Sequence, residues 1–181
     1  MQIVLDKLGA ALIATTLFLM VFNVNARNGQ SMTETTAFYA MTTQSEAFAK
    51  VLRRDLQGIV EVQTISETSI SGGGTEFSFV SRIGQDTTKH TVVYQKLPSS
   101  VQRGIQFYTV DRFVNGVADG GSNDIIIDWE IRALNEDAGN ITDTDDAAQV
   151  LVRFEAATPM IETETIQSIR WESRFFPPMR N

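Results

Sequence analysis

At 181 residues the chain has room for one domain of ordinary size carrying an extension. Its 43% hydrophobic and 20% charged residues place it with folded chains, not disordered ones. A formal net charge of -7 leaves no footprint for nucleic acid, the absence of cysteine excludes disulfides, thiol nucleophiles and thiolate metal sites, and one histidine, His90, without HExxH spacing argues against zinc.

The first element is apolar. Between Lys7 and Arg27 there is no charge, and Leu8–Ala26 reads LGAALIATTLFLMVFNVNA. At about 1.5 Å per helical residue this run is long enough to cross a hydrocarbon layer of about 30 Å. Three readings compete. A secretory leader would be cut after Ala26, with Val24 and Ala26 as the small residues, but Asp6 beside Lys7 removes the positive bias such leaders carry. A single-span anchor explains the missing charges. A helix that leaves the membrane to pack inside an assembly explains them as well.

The next stretch, SMTETTAFYAMTTQSEAFAKVLRRDLQGIVEV, continues without proline. Phe48, Val51, Leu52, Leu56 and Ile59 recur at helical spacing and give an amphipathic helix that stops at Gly58. Asn28–Gly29 is the expected break or kink, and the threonines from Thr33 to Thr43 weaken the helical expectation between the halves. The expected division is a helix over 1–58, apolar in 1–27 and amphipathic in 28–58, then a β-rich domain over 59–181.

From there the period shifts to two. Glu61–Ile70 precedes a turn at Ser71–Gly74, and TEFSFVSRI places Phe77, Phe79 and Ser81 on one face. HTVVYQKL pairs with it as a hairpin, and IQFYTVDRFV ends at Asn115–Gly116, a strong hairpin signal. SNDIIIDWEIRAL is apolar at its centre and belongs mid-sheet. AQVLVRFEAAT alternates Val150, Val152 and Phe154 against Leu151, Arg153 and Glu155. TIQSIRWESRFF alternates too, before Pro177–Pro178. The fold class is therefore α+β, a long N-terminal helix packed on an antiparallel sheet of six or seven strands.

Few residues point to chemistry. The loop NEDAGNITDTDDA holds Asp137, Asp143 and Asp145, a calcium candidate by its oxygen content, although its spacing is not that of an EF-hand and a solvated acidic loop is the plainer reading. Asn140-Ile141-Thr142 is a glycosylation sequon. Asp111, Asp128, Glu130 and Glu155 alternate with apolar residues, which suits exposed strand faces better than acid–base catalysis. His90 at a strand start reads as a surface residue, and Trp129 and Trp171 as core or sheet-face residues. SGGGT lacks the lysine and helix of a phosphate cradle, and no nucleophile elbow, GxGxxG or CxxCH occurs. No catalytic residue is assigned, and the expectation is a non-enzyme.

The order of elements resembles the type IV pilins and pseudopilins. VLRRDLQGI, an Arg-Asp pair at a leucine-rich helix end, is similar to the larger minor pilins and J-type pseudopilins, as are GGGTEFSFVS, FYTVDRFVNG and IQSIRWESRFF. The resemblance implies an extracellular filament of identical subunits on the cell surface, inserted in the inner membrane and handled by assembly machinery before polymerisation. If the sequence is the mature form, the resemblance makes Met1 the processed residue. Where the family carries a glutamate that neutralises a neighbour's terminal amine, this chain has Leu5 and then Asp6, the candidate substitute, whose other readings are a pair with Lys7 or a place in water. Assembly would draw on Leu8, Leu12, Leu17, Phe18 and Val21 for apolar contact, and on Gly9, Ala10, Ala11 and Ala14 for close helix approach. The alternatives are a minor pseudopilin of a secretion system, or an anchored or secreted β-domain that binds calcium or glycan.

Overall fold

The computed structural model describes residues 2–84, 87–158 and 166–176, with side chains from Leu12 onward except Asn123. Two compact units result, Met1–Tyr39 and Ala40–Asn181. One helix, α1 (Gln2–Gln57), makes up the first unit and supplies the start of the second.

The break expected at Asn28–Gly29 is absent, because α1 runs through it. The threonines are accommodated by bonding backward. The hydroxyls of Thr33, Thr35 and Thr36 donate to the carbonyls of Gly29, Ser31 and Met32 at 3.0, 2.8 and 2.8 Å. That satisfies each hydroxyl within the helix and offsets the low propensity of β-branched residues. α1 stops where expected. The Arg82 amide donates to the Gly58 carbonyl at 2.9 Å, and a β-carbon on Gly58 would lie 1.9 Å from the Arg82 carbonyl oxygen. Glycine is required there by close approach of another strand's end.

Among the described residues eight antiparallel strands follow: β1 (Ile59–Val62), β2 (Thr68–Ile70), β3 (Gly74–Ser81), β4 (His90–Gln102), β5 (Ile105–Val114), β6 (Val117–Leu134), β7 (Gln149–Ala157) and β8 (Ser168–Phe175). The expected strand over Glu61–Ile70 is two pieces, β1 and β2, both paired with β3. The spatial order is β1-β3-β4-β5-β6-β7-β8, with β2 beside β1 on β3. β6 is interior, as its apolar centre implied. The β5–β6 turn has Asn115 at φ 51 and Gly116 at φ 79, the doubly left-handed geometry that an Asn-Gly hairpin supplies.

The segment between β1 and β2 reaches β6 from the far side. Ala133 N–H donates to the Ile65 carbonyl at 2.7 Å, and Ile131 N–H to Glu67 Oε1 at 3.3 Å. Since β1 and β6 are separated by three strands in the sheet, these bonds require the sheet to curl around its inner face. Glu67 also takes bonds from Lys96 Nζ at 3.0 Å and from the Thr75 hydroxyl.

Residues Ala40–Gln57 of α1 lie against that inner face. Met41, Ser45, Phe48, Ala49, Leu52, Asp55 and Leu56 are buried, while Val51 is half-buried. Phe48 packs among three rings, with centroids 6.3 Å from Tyr94, 5.8 Å from Trp129 and 5.5 Å from Phe154. Such pairs contribute about 0.5–1.5 kcal/mol each beyond the area they bury. The architecture is pilin-like: a long N-terminal helix whose last turns pack on an antiparallel sheet.

Candidate functional site

Under the end of α1 lies a charged network whose central pair has almost no access to water. Asp55 is 0% exposed and Arg112 2%. Arg112 Nε donates to Asp55 Oδ2 at 2.5 Å and its terminal nitrogen Nη2 to Oδ1 at 3.0 Å, a two-pronged pair. The Tyr94 hydroxyl donates to Oδ2 at 2.7 Å, and the Ser81 hydroxyl to the Asp55 carbonyl at 2.5 Å, satisfying one of the terminal helix carbonyls. The remaining prong of Arg112 takes the carbonyl and carboxylate of Asp119. Burial, then the Asp55 charge, hold the Tyr94 phenol well above its ordinary value. The Asp55 carboxylate holds the Arg112 guanidinium charged against its desolvation and raises its pKa.

The Arg-Asp pair noticed in VLRRDLQGI is thus only half of the arrangement. Arg54 approaches Asp55 at 3.4 Å but is 48% exposed, and the buried cation comes from β5. Alternation along β5 marks Arg112 as an inward-facing charge, although it does not name the partner. Arg112 shares a face with Val110 and Val114, Tyr94 opposes it across the β4–β5 register, and Asp55 falls on the Leu52–Leu56 stripe. Beside Arg112 is a groove of about 270 Å³, bordered by Gln44, Phe48, Val51, Ser122 and Ile125.

The first unit presents a different surface. Leu12, Ile13, Leu17, Phe18, Leu19, Met20, Val21, Phe22 and Val24 are between 55% and 69% exposed. Six of them are consecutive, Leu17–Phe22, and consecutive helical residues cover every azimuth, so this stretch is apolar all round. Among the described residues, no helix is long and apolar enough to cross a membrane. Of the expected assembly residues, Leu12, Ala14, Leu17, Phe18 and Val21 lie in this exposed segment. Met1 and the side chains of Asp6, Leu8, Gly9, Ala10 and Ala11 lie outside the described residues.

The acidic loop does not gather a metal site. Among the described residues no three His, Cys, Asp or Glu side chains could hold an ion together, so Asp137, Asp143 and Asp145 are not brought into one set. Asp143 instead caps a 3-10 turn at Thr144–Asp146, its Oδ1 accepting from the Asp145 amide at 3.0 Å. The loop and β1 border an open groove of about 970 Å³. Asn140 is exposed within it, next to a backbone bridge between Leu134 and Asn140.

The strand carboxylates form a ladder on the outer sheet face. Arg153 Nη2 meets Glu130 at 2.7 Å and its Nε lies 3.8 Å from Asp128, while Glu155 opposes Asp128 on one side and Arg170 on the other. Asp111 is pushed up from its ordinary value by partial burial and then by the charge of Asp124. His90 is half-buried, its Nδ1 accepting from Asn115 at 3.0 Å across the β4–β5 pair. Trp129 is core, and Trp171 is half-buried against Phe154.

No family model, curated protein or solved structure compared with the chain matches it.

Proposed function

We propose that the chain is a structural subunit of an extracellular filament of the type IV pilus kind, built from identical copies and held in the membrane before assembly. The observation that carries this reading is the apolar, exposed helix Leu12–Val24 continuous with a helix end that is buried on a sheet. A helix apolar on all sides needs an enclosing apolar medium on all sides. Lipid tails serve before assembly, and equivalent helices of neighbouring subunits serve afterwards, so one surface satisfies both states. Ala14 is small enough for close approach of a neighbouring helix. Head-to-tail repetition of such a contact does not close, which generates an open helical polymer.

Asp6 is assigned the partner of a neighbouring terminal amine, since an unpaired ammonium in an apolar bundle costs several kcal/mol. The test is to shear surface appendages from the producing cell, image them, and weigh the subunit's N-terminus by mass spectrometry. Filaments containing a chain that retains its apolar helix are expected. Recovery only as a dissolved monomer beginning near Arg27 would overturn the reading, and normal filaments from Asp6→Asn would remove the role of Asp6.

A further inference from the structure

Strand β8 ends the sheet, and among the described residues no strand pairs with its outer side. In an antiparallel strand every second residue turns its N–H and C=O away from its neighbour, so β8 offers unpaired backbone groups along its length. The opposite end of the sheet is blunted. There β3 is flanked by the four-residue β1 and three-residue β2, and β1 carries an irregularity between Ile59 and Glu61. β8 has neither device. It follows β7 from Val150↔Phe175 to Ala157↔Ser168 without a register shift and contains no proline.

Its side chains are sorted by face. Ile169, Trp171 and Ser173 are half-buried toward the core, whereas Arg170, Glu172 and Arg174 are exposed on the other side. Trp171 is the outermost ring of a row in which Phe48 and Phe154 lie 5.5 Å apart and Phe154 and Trp171 5.4 Å.

We propose that β8 is an interaction surface for β8 of a second copy of this chain, the two strands antiparallel about Trp171. In this register Arg170 faces Glu172 of the second copy, Glu172 faces its Arg170, Trp171 meets Trp171, and Ile169 opposes Ser173. Charge complementarity selects it. A shift of two residues sets Arg170 against Arg174 and Glu172 against itself in one direction, and Arg170 against itself in the other. A shift of one residue turns the charged face of one strand against the apolar face of the next. Pairing Glu172 with Arg174 is also complementary, but it spans only Trp171–Phe175, whereas the Trp171-centred register spans Ser168–Arg174 and continues the aromatic row through both tryptophans. The contact is self-complementary and closes on two copies. It uses nothing of the apolar helix segment, so it stands or falls separately from the filament reading.

The absence of native cysteine makes the test direct. Full-length Ser173→Cys and Ile169→Cys chains in detergent micelles are oxidised singly and as a mixture. Opposed residues of antiparallel strands are about 4.5–5.5 Å apart at Cα, within disulfide reach. Disulfide dimers are expected from the mixture and not from either variant alone. Without introduced cysteine, Glu172→Arg turns two attractive pairs into two repulsive ones and lowers the dimer fraction by about tenfold, and Arg170→Glu combined with Glu172→Arg restores it to within about twofold. Far-ultraviolet circular dichroism confirms that each variant is folded, and the charge pair decides the matter if a cysteine variant is not. Cross-linking of Ser173→Cys by itself, no dimer under any condition, or indifference to the charge reversal would overturn the proposal.

Discussion

Replacing Arg112 by methionine separates a buried charge from its partner and tests the network under α1. Asp55 is 0% exposed and receives Arg112 through bonds of 2.5 and 3.0 Å, with Tyr94 at 2.7 Å. In the variant the nearest cation is Arg54, at 3.4 Å and half in water. Methionine occupies much the same space as the arginine stem, so the packing loss stays below about 1.5 kcal/mol. Leaving a buried carboxylate without its cation costs about 3–5 kcal/mol, a large share of the roughly 5–15 kcal/mol that holds an ordinary domain folded. Removing both charges, Asp55→Leu with Arg112→Met, abolishes the unpaired charge. It leaves only the Tyr94 hydroxyl and the water-exposed Asp119 to be satisfied, for a loss of about 0–2 kcal/mol. The assay is urea unfolding of the full chain in micelles followed by tryptophan fluorescence, since Trp129 and Trp171 both lie in the sheet. The reasoning is refuted if Arg112→Met loses less than about 1 kcal/mol, or if the double variant is as unstable as the single one.

Three further outcomes are expected. Gly58→Ala drives a β-carbon to within 1.9 Å of the Arg82 carbonyl oxygen, and the forced backbone shift should lower the melting temperature by about 3–10 °C; an unchanged melt would contradict the close approach. The Tyr94 phenol keeps its proton in the folded chain where the unfolded chain loses it, so stability should be complete below pH of about 10 and fall as pH rises beyond it. Tyr94→Phe should flatten that decline in urea unfolding series run across the same pH range, and an identical slope would discount the coupling. Phe18→Lys, at a 69% exposed position, should weaken flotation with lipid vesicles by up to about 3 kcal/mol while leaving urea unfolding of the sheet unchanged. Equal flotation would argue against contact of this helix face with lipid.

Much of the scaffold was legible because the signals are local. Helical spacing of Phe48, Leu52 and Leu56 marked the packed face, Gly58 marked the helix end, and Asn115–Gly116 marked the hairpin. The misreadings were local too. Thr33, Thr35 and Thr36 looked like weak helix formers until their hydroxyls were seen bonded to carbonyls one turn back. The break expected at Asn28–Gly29 is absent, since α1 continues through it. The acidic loop reads first as solvated; among the described residues Asp137, Asp143 and Asp145 are not gathered into one set, and Asp143 caps a turn. Arg54 was the visible neighbour of Asp55, while the true partner lies on β5.

The sequence by itself determined the α+β class, the apolar segment of α1, the succession of elements along the chain and the inward parity of most strands. Each follows from a periodicity of 3.6 or 2 that a dozen consecutive residues can express. Tertiary structure alone decided which charges meet. Asp55 and Arg112 are 57 positions apart, and nothing in either neighbourhood names the other. Their pairing exists because curling the sheet under α1 removes both from water at one place, where neither is tolerable without its opposite. The same holds for the edge at β8: alternation predicts its two faces, but only the spatial strand order shows that no strand among the described residues pairs with its outer side.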